Sequence, residues 1–312
     1  MKKYLAISGV LLLLITGFIS VKVVREKNDN RSAIVTEKTA NAILTLGANG
    51  KGNGDFLYPT SIAVNHNGEI YVVDQKLCII EKFNHTGKFI KQWGGGGKLD
   101  GQFEYPHGIA IDNNNIIYIA DTNNSRIQSF DENGKHRKTI GSFGNYGIAD
   151  SEFNQPVDVD IDESGDIFVI DRANNRVQRF DRNGRFLLKW GSEGTNDGQF
   201  KYPSSIAVST DGFVYIADTL NNRIQKFTAN GKFLLKWTFG KPFHLDVDKN
   251  GLVYVKGGDQ VYIYNSSGIL KAINRVEKSH GNEISDITID DHCHIYCSSL
   301  STFDITEYQI SN

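Results

Sequence analysis

The sequence has 312 residues, of which 39% are hydrophobic, 31 are glycine and only 5 are proline. The formal net charge of −2 gives no sign of the basic surface that nucleic-acid-binding proteins carry, so nucleic acid is not an expected partner. Three cysteines, Cys78, Cys293 and Cys297, are too few for a disulfide framework.

The N-terminus predicts a transmembrane helix over residues 1–24. Lys2 and Lys3 precede an apolar run from Tyr4 to Val24, which is long enough to span a bilayer as an uncleaved signal anchor. The positive-inside rule places the lysines in the cytoplasm and the rest of the chain on the extracytoplasmic side. If the segment is instead a cleaved signal peptide, the protein is secreted. Residues 25–40 are polar and predict a linker to a domain over residues 41–312.

The remainder of the chain repeats itself. Four prolines recur at spacings of 47, 50 and 47 residues, and each has a phenylalanine three residues before it and an aspartate fifteen residues after it. The prolines are Pro59, Pro106, Pro156 and Pro203. A period of 40 to 50 residues is typical of the blades of a β-propeller.

Each period contains four short strands separated by Gly, Asn and Asp turns, which predicts an antiparallel four-stranded sheet. Two degraded units follow at 242–268 and 284–310, and the second lacks a fourth strand. Residues 42–47, "AILTLG", match the missing strand. We therefore predict an all-β fold, a six-bladed β-propeller of four-stranded antiparallel blades. The N-terminal strand closes the last blade, and a transmembrane helix precedes the propeller.

The shared pattern, F-x-x-P-x-x-I-A-V followed by G-x-I-Y-V-x-D-x-x-N-N-R-I-Q-x-F, resembles the NHL repeat. The resemblance covers residues 42–310, although the first blade has "QKLCII" after Asp74 in place of the Asn-Asn-Arg segment. It implies a β-propeller, for which six blades are typical. The family includes ligand-binding modules, RNA-binding domains, extracellular sensors and a metal-dependent amidating lyase, so the fold alone does not settle the function.

An aspartate and an arginine recur five residues apart in the second, third and fourth blades: Asp121 with Arg126, Asp171 with Arg176, and Asp218 with Arg223. A feature that repeats identically in successive blades indicates a structural role. We predict that each aspartate accepts N–H groups of its loop and pairs with its arginine.

The first strand of each blade lies nearest the propeller axis, and its departures from the consensus are more informative. The third, fifth and sixth blades place acidic residues and one histidine where other blades have small residues: Asp158, Asp160, His244, Asp246 and Asp286. Carboxylates crowded around one axis repel each other, and a Ca²⁺ ion held by their oxygens would relieve the repulsion. The alternative is that they bind backbone groups or ordered water.

Two histidine-containing stretches are candidates for a catalytic or metal site. The amidating lyase that the repeat resembles holds zinc through histidines just after the blade prolines, and here only His107 occupies such a position, which makes it a candidate binding residue. His292 and His294 in "DDHCHIYC" share a strand face, which suits a transition metal. That stretch aligns with the hairpin turns of other blades, and we favour the turn.

The sequence therefore favours a membrane-tethered, extracytoplasmic binding scaffold, monomeric and attached through its N-terminal helix. Its ligand would be a protein, a peptide or a glycan presented to the propeller loops. The alternative is a metal-dependent lyase or lactonase-type enzyme with its site at the central channel.

Overall fold

The structure, a computed structural model of the chain, describes residues 20–25, 32–141, 146–276 and 284–309. The first four blades are separate antiparallel sheets of four strands. Their bounds are β3 Pro59–Val64, β4 Ile70–Asp74, β5 Ile79–Phe83 and β6 Phe89–Gly94; β7 Pro106–Ile111, β8 Ile117–Asp121, β9 Arg126–Phe130 and β10 His136–Gly141; β11 Pro156–Ile161, β12 Ile167–Asp171, β13 Arg176–Phe180 and β14 Phe186–Trp190; β15 Pro203–Val208, β16 Phe213–Asp218, β17 Arg223–Thr228 and β18 Phe233–Thr238.

The rest of the described chain forms one nine-stranded sheet. It contains β1 Ser20–Arg25, β2 Ser32–Leu46, β19 Leu245–Val247, β20 Val253–Gly257, β21 Gln260–Tyr264, β22 Leu270–Val276, β23 Ile284–Ile289, β24 Ile295–Ser299 and β25 Asp304–Gln309. The strand β2 is 15 residues long and belongs to both halves of this sheet. Its residues 36–40 pair in parallel with β22, and its residues 41–46 pair antiparallel with β25. We call the β19–β22 half the fifth blade and the β23–β25 half the sixth.

The predicted fold class is therefore wrong in two respects. The fifth and sixth blades are not separate four-stranded sheets, because one long N-terminal strand hydrogen-bonds to both of them. The prediction of an N-terminal helix is also wrong for residues 20–24, the part of the predicted helix that the structure describes. Ser20–Arg25 form a strand that pairs with residues 32–37. Three valines in that segment, Val21, Val23 and Val24, are β-branched and favour a strand over a helix.

The predicted single-pass membrane location is wrong as well. Among the described residues, the chain has no helix with the length and apolar character needed to cross a bilayer. Residues 1–19 of the predicted span lie outside the described residues. Residues 32–40 of the predicted linker lie in β2, and the domain bounds stay a prediction.

Apolar packing between neighbouring blades closes the chain into a ring. Six buried clusters each combine side chains from two adjacent blades, and the sixth of them joins the sixth blade to the first. The first strands contact one another in the order β3, β7, β11, β15, β19 and β23, and β23 returns to β3. A sheet that is apolar on both faces needs a neighbour on each side, and the ring gives every blade two.

The repeated phenylalanines anchor the segments that link one blade to the next. Phe56, Phe103, Phe153 and Phe200 are fully buried. A glycine at the end of an outer strand packs against the ring of each phenylalanine. At Gly191, for example, an added Cβ would lie 2.4 Å from the ring of Phe200. Gly191 also has a φ of +96°, a conformation that side chains disfavour, so the glycine is required on two counts.

Candidate functional site: the central channel and its mouth

The first strands enclose a channel of about 170 Å³ around the ring axis. These strands are the inner edges of their sheets, so the N–H groups that face the channel have no strand partner. The predicted acidic residues supply acceptors for them. Asp158 accepts the Val159 N–H at 3.0 Å from its own strand and the Ile206 N–H at 2.9 Å from the next blade. Asp160 repeats the arrangement with the N–H groups of Ile161 and Val208.

Asp246 and Asp286 make the same connections further around the ring. Asp246 accepts the Val247 N–H and, from the sixth blade, the Ile289 N–H and the Thr288 hydroxyl. Asp286 accepts the Ile287 N–H and, from the first blade, the Ile62 N–H and the Ser61 hydroxyl. Each carboxylate therefore joins its blade to the following one through hydrogen bonds, which are buried at Asp286 and partly buried at the other three.

Burial determines the charge of this cluster. It raises the pKa of Asp158 to about 7, that of Asp246 to about 6, and that of Asp160 well above its usual value, where the nearby Asp246 carboxylate adds to the rise. Burial also acts against ionised Asp286, but the pKa of Asp286 is lowered because His244 and the hydrogen bonds from Ser61 and Ile62 outweigh it. A proton on any one of the carboxyls with a raised pKa reduces the repulsion on which the predicted Ca²⁺ site rests, and that site stays a prediction.

Two imidazoles close one end of the channel. His107 comes from β7 and His244 precedes β19, and these strands lie on opposite sides of the ring. Their rings stack with centroids 5.9 Å apart and planes 5° from parallel. The His244 Nδ1 lies 2.8 Å from Asp286 Oδ1. Burial lowers the pKa of His107 to about 3, with further lowering by Arg172 and His244, so His107 is neutral. Its buried Nδ1 has no hydrogen-bond partner in the part of the chain that the structure describes.

Two cations and three exposed aromatic side chains surround the stacked imidazoles. The guanidinium carbon of Arg172 lies 4.9 Å from the centroid of the Tyr202 ring, and the Lys256 ammonium lies 5.9 Å from that of Phe243. Tyr105, Tyr202 and Phe243 are each about half exposed. Burial lowers the pKa of both cations. The Tyr202, Asp158 and Tyr105 side chains act in the opposite direction on the pKa of Arg172. Asp286 acts in the opposite direction on the pKa of Lys256. We call His107, His244, Arg172, Lys256 and these three aromatics the channel mouth.

The sequence prediction found part of this site. It named the five channel residues and His107, and the structure brings them together along one axis. It missed Arg172, Lys256 and the aromatic rim. A signal for Arg172 was available, because the second and fourth blades have Thr122 and Thr219 at its position. Both threonines hydrogen-bond to the carbonyl of the next blade's proline, and Arg172 does so through its Nε.

The repeated aspartate and arginine are structural, as predicted. In each of three blades the aspartate is completely buried, and its arginine Nε lies 2.6–2.7 Å from one carboxylate oxygen. A glutamine two residues after the arginine, Gln128, Gln178 or Gln225, also donates to that oxygen.

The first blade departs from this arrangement and holds a buried acid. Glu81 occupies the place of the glutamine, and its Oε1 accepts the Gly54 N–H at 3.0 Å. Among the residues that the structure describes, its Oε2 has no hydrogen-bond partner. Burial raises the pKa of Glu81 to about 7, and Asp74 and Asp55 raise it further against the Gly54 hydrogen bond. A protonated Glu81 can donate a hydrogen bond, as the glutamine amide does in other blades.

We expect Glu81→Gln to stabilise the protein above neutral pH. The Glu81 pKa is higher in the folded chain than its ordinary value of about 4.5, so the wild type loses stability as pH rises from about 4.5 to about 7. The variant keeps a neutral hydrogen-bond donor at this position. Its free energy of unfolding should exceed that of the wild type by about 3 kcal/mol at pH 8.5 and differ little from it at pH 4. Urea unfolding at both pH values measures this. Gln178→Glu is the reverse control and should become less stable above pH 7; equal stability of Glu81→Gln and wild type at pH 8.5 contradicts the expectation.

The comparisons with known proteins agree with the repeats. The family model for the NHL repeat matches residues 103–130, 153–180 and 200–227, so the chain contains NHL repeats. No curated protein matches the chain in sequence. The structure is similar to virginiamycin B lyase from Staphylococcus aureus, with 15% identity, coverage of 82% of this chain and 96% of that one, and a TM-score of 0.62. It is also similar to a gluconolactonase from Xanthomonas campestris, with 16% identity, coverage of 81% and 87%, and a TM-score of 0.62. At such identities the likeness establishes the β-propeller fold alone.

Proposed function

We propose that this protein is a ligand-binding propeller that captures an anionic group of a protein, peptide or glycan at the channel mouth. The observation that carries the proposal is the closure of the channel by His107 and His244 beneath a rim of cations and half-exposed aromatics. The stacked imidazoles separate this end of the channel from the surface, so a ligand that binds here meets a shallow site. Exposed aromatic side chains beside arginine are typical of binding hot spots.

Charge favours an anionic partner. Among the described residues, Arg172 and Lys256 have no carboxylate within the 4.0 Å of an ion pair, although both are partly buried. Partly buried cations without a counterion are costly, and an incoming carboxylate or sulfate would offset that cost. Tyr202 and Phe243 lie against these cations and offer apolar surface to the rest of the ligand.

A second candidate is an enzyme of the lyase or lactonase type, as two structural neighbours are. The observation that favours it is the His244–Asp286 pair, in which a carboxylate fixed by three donors from the first and sixth blades orients an imidazole. Such a pair can serve as a general base. This candidate requires turnover, whereas the binding proposal requires only affinity.

We expect the full-length protein to select acidic ligands from a peptide display library and a glycan array. Arg172→Gln and Lys256→Gln should each weaken the selected ligands by roughly tenfold or more, because each removes a charge from the mouth. Arg185→Gln is the matched control, since that arginine is 79% exposed and distant in the fold. Retention of full affinity by the double variant contradicts the proposal. Hydrolysis of gluconolactone or opening of virginiamycin B that is lost in His244→Gln would favour the enzyme instead.

A further inference from the structure

A second cluster of potential ligands lies at the other end of the first strands. It consists of Asp290 and His292 in the turn between β23 and β24, His294 just before β24, and Glu307 on β25. Asp286 and the channel mouth are near the start of β23, and this turn follows the end of that strand. The cluster is therefore separate from the site described above. We call it the turn cluster.

The ligand atoms of the turn cluster face one another. The His294 Nδ1 lies 3.4 Å from Asp290 Oδ2 and 2.7 Å from Glu307 Oε1, and the His292 Nδ1 lies 3.7 Å from the same Asp290 oxygen. In a tetrahedral zinc site with bonds of about 2.0–2.2 Å, ligand atoms are about 3.3–3.5 Å apart. The His294–Asp290 separation already matches this value, whereas the His294–Glu307 pair would have to open by about 0.6–0.8 Å to enclose an ion.

The turn itself fixes the first ligand. Asp290 Oδ1 accepts the N–H groups of His292 and His294, which leaves Oδ2 directed at the two imidazoles. The Tyr296 hydroxyl donates to that Oδ2 at 3.5 Å. Hydrogen bonds that orient a ligating carboxylate are typical of metal sites.

Other blades show what an ion-pair version of this position looks like. In the first blade Lys82 pairs with Glu69 at 2.9 Å, and in the third blade Arg179 pairs with Asp166 at 2.7 Å. In the sixth blade the pair is exchanged, with Glu307 in the place of Lys82 and Arg179 and His294 in the place of Glu69 and Asp166, and Asp290 adds a second carboxylate. Two carboxylates then face the imidazole of His294, and no lysine or arginine of the described residues lies within 4.0 Å of either.

We propose that Asp290, His292, His294 and Glu307 form a Zn²⁺ site. The ligand atoms of Asp290, His294 and Glu307 lie within 4.8 Å of one another. In the proposed site a rotation of the exposed His292 side chain brings its imidazole nitrogen in as the fourth ligand, which completes the tetrahedral set of a structural zinc site. The ion joins the turn to β25, the strand that β2 pairs with, and so stabilises the closure of the ring. The interpretation of 290–297 as a plain turn accounts for the backbone but not for this set of side chains.

The test uses the full-length protein stripped of metal with a chelator and titrated with Zn²⁺ against a chromophoric competitor. We expect one tight equivalent per chain, and Co²⁺ should give the visible absorption of a tetrahedral site. His294→Gln and Asp290→Asn should each lower Zn²⁺ affinity by roughly a hundredfold, and His292→Gln by roughly tenfold, because each removes one bond to the metal. Zn²⁺ should raise the Tm of the wild type and raise that of His294→Gln much less.

Controls separate this site from others in the chain. His85→Gln changes an exposed histidine outside the cluster and should bind Zn²⁺ as the wild type does. Asp158→Asn tests the channel at a carboxylate that bonds to the third and fourth blades, and it too should leave the Zn²⁺ equivalent intact. His292 is 76% exposed, so His292→Gln keeps the test valid even if a substitution at Asp290 impairs folding. Unchanged Zn²⁺ affinity in His292→Gln and His294→Gln, or loss of the ion in Asp158→Asn, overturns the proposal.

Discussion

Removal of residues 1–46 is expected to abolish cooperative folding, because it deletes β2 from both blades that the strand joins. The lost strand carries the pairings of residues 36–40 with β22 and of residues 41–46 with β25. It also removes Ala40 and Leu46 from the apolar clusters on either side of the sixth blade. We expect a loss of roughly 5 kcal/mol or more, which is comparable to the whole stability of a typical domain.

Urea unfolding followed by tryptophan fluorescence and circular dichroism measures this effect. The matched control deletes residues 1–31, which leaves β2 complete, and its unfolding midpoint should remain near that of the full chain. Deletion of β2 would leave β22 and β25 as exposed sheet edges, so aggregation of the 47–312 fragment is also expected. An unchanged unfolding midpoint in the 47–312 fragment would show that the ring does not need this strand.

Asp218→Ala is expected to cost about 3–5 kcal/mol, because it leaves a buried guanidinium without its counterion. Asp218 is completely buried and accepts hydrogen bonds from the Lys201 N–H and from the side chains of Asn221, Arg223 and Gln225. The Arg223 guanidinium also donates to three carbonyls of the segment that links the third and fourth blades. Loss of the carboxylate therefore loosens the loop, the linker and the strand together.

Chemical unfolding of purified variants tests this prediction. Asp211→Ala is the control, since Asp211 is an exposed aspartate in a turn of the same blade, and its removal should change stability by less than about 0.5 kcal/mol. Asp218→Asn retains the shape without the charge and should fall between the two. A cost below about 1 kcal/mol for Asp218→Ala would mean that Arg223 finds other acceptors.

The repeats could be predicted from the sequence because the interactions that define each repeat are between residues close together in the chain. Proline, glycine and Asx turns at fixed spacings define short strands, and the buried Asp–Arg pair lies within five residues of the chain. The N-terminal segment was misread for the same reason. Its apolar composition suits a bilayer, but the pairing of Ser20–Arg25 with residues 32–37 depends on a second segment that composition does not reveal.

The sequence by itself determined the four-stranded unit, its repetition and the identity of the acidic residues on the first strands. Only the tertiary structure decided that β2 serves two blades and that Asp158 and Asp286 bond to the backbone of the next blade. It also decided that His107 and His244 stack across the axis and that Glu307 lies beside His294. The physical reason is that closing a ring brings together groups that are far apart in the chain, such as Thr45 and Thr306 at a separation of 261 residues, and no local pattern encodes those contacts.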